Sequence, residues 1–278
     1  MLFIVNPISG KGRKKRIISY LIKAGYNVVC TEYAGHAEKL ARETTARTVV
    51  AVGGDGTVNE VARGLVGTGK TLGIIPCGSG DGLARHLHIS QLLRPALNTI
   101  LKGKTSPLDA GRINDRLFFS VCGVGFDAVV SERFAKCGRR GLASYINEGL
   151  KTWRIYVPEK YSISIDGKTF EHEAMFITIG NSNQWGNEAK ITPLADSSDG
   201  ILDITVVDDF KAVELPFLAG RLMGGSAHKS KRVHTYRGEH IIINRPNEGP
   251  AHADGDWFDA DKIIDIEVIP HALTVIVP

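Results

Sequence analysis

Three short stretches carry residues that could handle phosphate. Residues 53–57 read Gly-Gly-Asp-Gly-Thr, between the apolar run TVVAV and the helical pattern VNEVARGLV. Residues 6–12 read NPISGKG after LFIV, and residues 76–82 read PCGSGDG after TLGII. Glycine turns with positive φ at no steric cost and leaves no Cβ in a ligand's way. Successive amides in such a turn, beside a helix N-terminus, make a concave anion site. One such turn is an ordinary strand–helix connection; three at the ends of neighbouring strands point to nucleotide phosphates. The lone carboxylate, Asp55, adds a charge that could organise a dication and its waters, or take a proton. Lys11 stands between Gly10 and Gly12 and suits a phosphate. The basic run from Lys11 to Arg16 opens a helix, where cations oppose the dipole. Bound phosphate or anionic lipid would offset that repulsion, and a solvated charged end explains the run equally well.

Carboxylates return late in the chain. PLADSSDGILD holds Asp196, Asp199 and Asp203, and AHADGDWFDADK holds Asp254, Asp256, Asp259 and Asp261. Most acidic residues only solvate loops. A Mg²⁺-nucleotide enzyme still needs a few hard oxygen ligands and a base, and these are the candidates after Asp55. Three other matches fail on context. GLVGTGKT, Gly64 to Thr71, has the letters of a P-loop, but a helix precedes it and a strand follows, the reverse of what that loop requires. GVGFDA, Gly123 to Ala128, loosely fits a dinucleotide fingerprint with Glu148 downstream, yet no parallel βαβ unit continues from it. His86 and His88 lack further partners at metal-ligand spacing.

These residues need a scaffold, and the chain changes texture near residue 110. Before it, the runs 2–5, 27–31, 48–52 and 71–75 alternate with helical patterns, and QLLRPALNTILKG adds a further helix. That alternation predicts a parallel sheet covered by helices, with ligands at the strands' carboxyl ends. After it, β-branched and alternating runs dominate, and Asp166-Gly167 and Arg237-Gly238 suggest hairpin turns. Segments 129–152 and 210–224 look helical. The expected fold is an α/β domain followed by a mostly antiparallel β domain, with a cleft between them.

Together NPISGKG, GGDGTVNEV, GIIPCGSGDGLAR, LDAGRIN and the late ADGD resemble the diacylglycerol kinase catalytic-domain family of soluble lipid kinases, across essentially the whole chain and in the right order. GGDGT alone is shared with NAD kinases and phosphofructokinases; the combination is what narrows the resemblance. It implies a parallel-sheet nucleotide-binding α/β domain, residues 1–110 rejoined by 262–278. It also implies a β-sandwich lipid domain, residues 111–261, with the active site in the cleft. By position, Asn6, Pro7, Ile8, Ser9, Gly10 and Thr31 contact ATP. Gly53, Gly54, Asp55, Gly56, Thr57, Val58 and Asn59 hold its phosphates, and Ser79 offers a nucleotide-contacting hydroxyl. Asp199 helps bind Mg²⁺ with the carbonyls of Asp196 and Ile201, and Asp55 and Asp109 join the acidic network around that ion. Two departures stand out. The family's usual Asp falls on Gly82, with Asp81 beside it. The late motif ends in Asp256 rather than Glu, which leaves Asp256 and Asp55 as rival bases. Trp257 and Phe258 are expected to shield Asp256 from water and raise its pKa.

The resemblance thus implies an ATP- and Mg²⁺-dependent kinase acting on a lipid hydroxyl, diacylglycerol first and a sphingoid base as the alternative. An NAD kinase, a nicotinamide-dependent oxidoreductase and a non-catalytic lipid-binding relative are the rival classes. Among 278 residues, 43% hydrophobic and 23% charged is ordinary for a globular protein. No apolar run reaches bilayer length and MLFIVNP lacks a basic leader region, so a cytoplasmic protein at the membrane periphery is expected. Cys30, Cys77, Cys122 and Cys137 are scattered, as suits reduced thiols. A net charge of +4, with clusters Lys11–Arg16, Arg133–Arg140 and Lys229–Arg232, permits attraction to anionic headgroups. No nucleic-acid partner is expected, and a homo-oligomer is left open.

Overall fold

The apolar runs of the first hundred residues form parallel strands β1 (Leu2–Val5), β2 (Asn27–Cys30), β3 (Thr48–Gly53) and β4 (Thr71–Pro76). The computed structural model describes residues 1–7, 13–138 and 142–278. The chain divides into two compact units, Met1–Ala110 with Pro270–Pro278, and Gly111–Ile269.

In the first unit the strand order is β2-β1-β3-β4. Helices α1 (Arg13–Lys23), α2 (His36–Glu43), α3 (Asp55–Leu65), α4 (Gly82–His86) and α5 (Leu93–Lys102) follow or link the strands. Val49 to Val52 and Leu2 to Val5 are buried without a break, the pattern of strands covered on both faces. The chain leaves β1 toward β2 on one side and returns at β3 on the other. The carboxyl ends of β1 and β3 therefore flank the switch point where such sheets bind ligands. The stretch with P-loop letters is a helix-to-strand turn. Gly67 and Gly69 have φ of 72° and 68°, and Lys70 Nζ donates to the Ala41 and Arg42 carbonyls at the end of α2.

Strand β5 (Lys104–Ile113) leads into the second unit. There follow β6 (Arg116–Phe118), β7 (Val121–Gly125), α6 (Phe126–Lys136), α7 (Leu142–Trp153), β8 (Glu159–Ile165), β9 (Lys168–Gly180) and β10 (Leu202–Asp208). The chain continues through α8 (Leu215–Met223), β11 (Val233–Gly238), β12 (His240–Asn244), β13 (Gly249–Ala253), β14 (Asp256–Ala260) and β15 (Ile263–Val277). β9 organises an antiparallel sandwich. Its first half pairs with β8, and its second half with β7 and β10. β8 alternates buried Tyr161, Ile163 and Ile165 with polar residues, as a strand covered on one face should. Those side chains join Ile177, Ile204, Ile243 and Ile266 in the main core. A second core, around Phe176, Val207 and Phe210, lies under Trp153 and under Leu215, Leu218 and Leu222 of α8.

Asp166 and Gly167, with φ of 47° and 83°, close the expected β8–β9 hairpin. The second expected hairpin is absent. β11 pairs with β10 while β12 pairs with β8 and β15, so Arg237-Gly238 precedes a crossing between strands that do not pair. Gly238 is glycine for want of space, since a Cβ there would collide with Ile165. Among the described residues no helix is long and apolar enough to cross a membrane.

Packing of α3 on α2 yields a prediction in which two effects have opposite signs. A Cβ on Gly64 would collide with the Glu38 carbonyl and lie 2.9 Å from Ala41 Cβ. Helix propensity favours alanine by about 1 kcal/mol, whereas crowding a packed interface costs about 1–3 kcal/mol. Crowding should win: Gly64→Ala should lower the urea midpoint. An unchanged or higher midpoint would show that α2 yields freely.

Candidate active site

The glycine loops after β3 and β4 touch. The Cys77 amide donates to the Gly53 carbonyl at 2.7 Å, adding a rung beyond the paired strands. Just past it, a Cβ on Gly78 would lie 2.7 Å from Gly54 Cα, so no other residue fits there without movement. Asp55 opens α3 and fastens the contact. Its Oδ2 accepts the Asp81 amide at 2.8 Å, and its Oδ1 accepts the Gly82 amide at 2.7 Å. Burial raises the Asp55 pKa above its ordinary value, against the pull of those two amides and of Arg85. Asp81, not singled out for this by its sequence context, is buried with φ 49°, and its Oδ1 accepts the Gly78 amide at 2.9 Å. Arg85 Nε donates to the Gly80 carbonyl at 2.9 Å.

The other nucleotide candidates of the first unit lie at the same carboxyl ends. The Asn6 amide donates to Val52 O at 3.2 Å and the Thr31 amide to Val5 O at 2.9 Å. Thr31, Thr57, Val58 and Asn59 are buried, whereas Pro7, Gly56 and Ser79 are exposed. A Cβ on Gly56 would meet nothing within 4 Å, so open space lies over the start of α3. Ile8, Ser9, Gly10 and Lys11 lie outside the described residues, as do Arg139 and Arg140. Asp109 on β5 has no exposed surface, and its Oδ1 accepts the His271 amide at 2.6 Å.

The acidic candidates of the second unit fall in two groups. Asp196 Oδ1 accepts the Ser198 amide at 3.0 Å and its hydroxyl at 2.8 Å. Asp199 Oδ1 accepts the Ile201 amide at 3.1 Å, while Oδ2 pairs with Arg237 Nη2. Arg237 Nε also reaches Asp203 Oδ2 at 3.4 Å, and burial still pushes the Asp203 carboxyl up to about 6. Asp203 and Arg237 line a cavity of about 260 Å³ with Thr192, Thr205 and His228. In kind, the oxygens of this loop fit a hard dication. The guanidinium already supplies positive charge to Asp199, so such an ion would have to displace it.

The turn between β13 and β14 carries the late motif. Asp254, with φ 51°, accepts the amides of Phe119, Ser120 and Val121 at 2.9, 2.8 and 3.1 Å. Asp256 is exposed at the mouth of this hairpin, which corrects the expectation that Trp257 and Phe258 shield it. Phe258 turns into the core, and Trp257 lies under Lys136 Nζ at 4.8 Å. Next to the turn is a buried group that sequence reading missed. Asp127 Oδ2 accepts the Thr178 hydroxyl at 2.9 Å and lies 3.2 Å from His252 Nε2, and the Gly255 amide donates to His252 Nδ1 at 3.4 Å. A Cβ on Gly123 would lie 2.5 Å from Asp127 Oδ2. The first glycine of GVGFDA thus makes room for a carboxylate, and that is the signal the dinucleotide comparison concealed.

Residues 1–113 match the family model of the diacylglycerol kinase catalytic domain, and residues 120–277 match that of the YegS C-terminal NAD kinase beta sandwich-like domain. A diacylglycerol kinase of Mycobacterium tuberculosis is 29% identical over 99% of this chain and 94% of its own length. One of Bacillus subtilis is 28% identical over 91% and 88%. A crystal structure of a Bacillus anthracis protein assigned as a diacylglycerol kinase superposes with a TM-score of 0.82 at 26% identity, covering all of this chain and 94% of that one. An Archaeoglobus fulgidus NAD kinase solved with ATP shares the fold at 13% identity and a TM-score of 0.58, covering 99% of this chain and 92% of that one. With both halves matched in order, the chain belongs to the diacylglycerol kinase family of lipid kinases.

Proposed function

We propose that this chain transfers the γ-phosphoryl group of ATP to the hydroxyl of diacylglycerol. The observation that carries the reading is the contact of the two glycine loops at Gly54 and Gly78, fastened by Asp55 at the switch point of a parallel sheet. Bare backbone on both sides and open space over Gly56 suit a triphosphate. The first unit then serves as the nucleotide domain. Asn6 to Lys11 and Thr31 contact the nucleotide, Gly53 to Asn59 hold its phosphates, and Ser79 offers its exposed hydroxyl. Mg²⁺, when bound, neutralises phosphate charge; Asp196, Asp199 and the Ile201 carbonyl would hold it once Arg237 swings away from Asp199. Asp55 and Asp109 act in this reading by holding backbone rather than as ligands.

Phosphoryl transfer needs in-line positioning and little covalent help from the protein. Asp256 is exposed and can approach a lipid hydroxyl, so it takes that proton in this reading. Asp254 holds the turn that carries it. The test is transfer from labelled ATP, with Mg²⁺, to diacylglycerol, a sphingoid base or NAD. Label in diacylglycerol supports the reading; label in NAD alone, or in no acceptor, overturns it. The Gly78-Ser79-Gly80 opening favours the sphingoid base as the second lipid to try.

A membrane surface is the natural place for such an acceptor. Helix α8 packs half-buried Leu215, Leu218 and Leu222 against the second core and turns Phe217 outward, 73% exposed, with Val213, 70% exposed, just before it. Exposed Lys211 precedes the helix, and exposed Lys229 and Lys231 follow it. An apolar face with basic neighbours matches an anionic bilayer.

Two variants separate these roles. Asp256→Asn should lower turnover about a hundred- to ten-thousandfold with ATP affinity unchanged, and Asp256→Glu should remain active; an active Asp256→Asn enzyme would remove Asp256 from the mechanism. Asp55→Asn should lose activity and also about 1–3 kcal/mol of stability, because an NH₂ group then faces an amide N–H. Retained stability and activity would contradict its role as a tie. Phe217→Glu should weaken co-sedimentation with anionic vesicles about tenfold or more, since it replaces a ring worth about 1.5–3 kcal/mol of burial with a like-charged group. Transfer to a short-chain diacylglycerol in solution should be unchanged. Equal sedimentation of variant and parent would move the membrane contact elsewhere.

A further inference from the structure

Three side chains with metal-ligating chemistry meet in the second unit, and none of them is among the residues assigned to phosphoryl transfer. They are His172 on β9, Asp208 at the end of β10 and His234 on β11. Pairing of these strands brings them together: β10 runs between β9 and β11, with Val206 opposite His234 and Asp208 opposite Ala174. A break in register between Val207 and Asp208 marks a β-bulge, the device by which sheets re-aim a side chain. One ligand atom from each residue lies within 4.8 Å of the others. The two imidazole rings are 4.9 Å apart, inclined at 46°. His234 Nε2 lies 2.9 Å from Asp208 Oδ2, and His172 Nε2 lies 2.8 Å from the Tyr236 hydroxyl. All three residues are half-buried, which shields them from bulk water and leaves an approach open.

We propose that His172, Asp208 and His234 bind a divalent transition-metal ion, with Zn²⁺ the best match. Two imidazoles and one carboxylate suit borderline ions rather than Mg²⁺ or Ca²⁺, which take oxygen ligands. Three protein ligands leave the fourth tetrahedral position to water. Bonds of about 2.0–2.1 Å put tetrahedral ligand atoms about 3.3–3.4 Å apart, so His234 Nε2 and Asp208 Oδ2, now 2.9 Å apart, must part slightly while any atoms standing farther apart than that, up to 4.8 Å, close in. Rotations of three side chains on adjacent strands accomplish that without moving the sheet. Tyr236 orients the His172 ring, the kind of outer partner that metal-bound histidines ordinarily have. The ion is distinct from the Mg²⁺ of the proposed reaction, and the assignment stands whether or not the acceptor is diacylglycerol.

The test is calorimetric titration of the EDTA-treated full chain with Zn²⁺, in buffer containing Mg²⁺. One Zn²⁺ per chain, bound in the micromolar range or tighter, is expected. His172→Gln and His234→Gln should each weaken it at least about tenfold, and Tyr236→Phe about tenfold, the usual cost of losing an outer partner. Circular dichroism and kinase activity without Zn²⁺ should match the parent for all three. Absence of Zn²⁺ binding by the parent overturns the proposal. So does equal binding by the folded histidine variants, which would put the ion on other ligands.

Discussion

The two oxygens of Asp55 are committed to two consecutive backbone amides, and the candidate site depends on that commitment. The amides belong to Asp81 and Gly82, at the start of α4, and the carboxylate opens α3. One side chain thereby sets the distance between two strand-ending loops. Helix starts present unpaired N–H groups, and a carboxylate is the strongest acceptor the chain can offer them. The glycines follow from this tie. With the loops drawn together, Gly54 and Gly78 meet backbone to backbone, and any side chain at Gly78 would force them apart. The answer to why a charge stands among glycines is therefore first mechanical: it holds the space that the glycines leave open.

The same device recurs. Asp254 gathers three amides at the start of β7, Asp166 receives those of Glu239 and His240, and Asp109 receives that of His271. Carboxylates are costly to bury unless hydrogen-bonded, and buried Asp109 and half-buried Asp254 are matched to donors of fixed direction, as exposed Asp166 also is. Residues that family likeness suggests for chemistry thus divide by what their oxygens touch. Asp55, Asp109 and Asp254 hold backbone. Asp256, two residues on from Asp254, is exposed.

Much of this was legible in the sequence, for physical reasons. Apolar runs mark the strands, and LFIV, NVVCT, TVVAV and TLGII match β1 to β4 to within a residue, with β1, β3 and β4 covered on both faces and β2 at the sheet edge without a buried residue. Asp166-Gly167 was legible because a two-residue turn with both φ positive admits few residue pairs. Arg237-Gly238 was not, because its glycine answers to crowding from Ile165, a contact 73 residues away in the chain. The pairing of Arg237 with Asp199, the Asp127–His252 group and the exposure of Asp256 were hidden for the same reason. Each depends on which strands become neighbours, and local pattern carries no record of that. The P-loop letters at residues 64–71 fail on the order of elements alone, and Lys70 is engaged by the carbonyls at the end of α2.

The amide ties bear on how freely such a sequence can drift. Every residue except proline carries the same backbone N–H. Asp254 therefore imposes almost nothing on the identities of Phe119, Ser120 and Val121, whose amides it receives. Any of them can be exchanged, within the limits of packing, and the tie persists; only proline at one of the three removes a donor. Constraint gathers on a few aspartates and glycines while the segments they fasten stay open to substitution. A scaffold held in this way can diverge to low identity and keep its shape, since the geometry is anchored to atoms that mutation does not change.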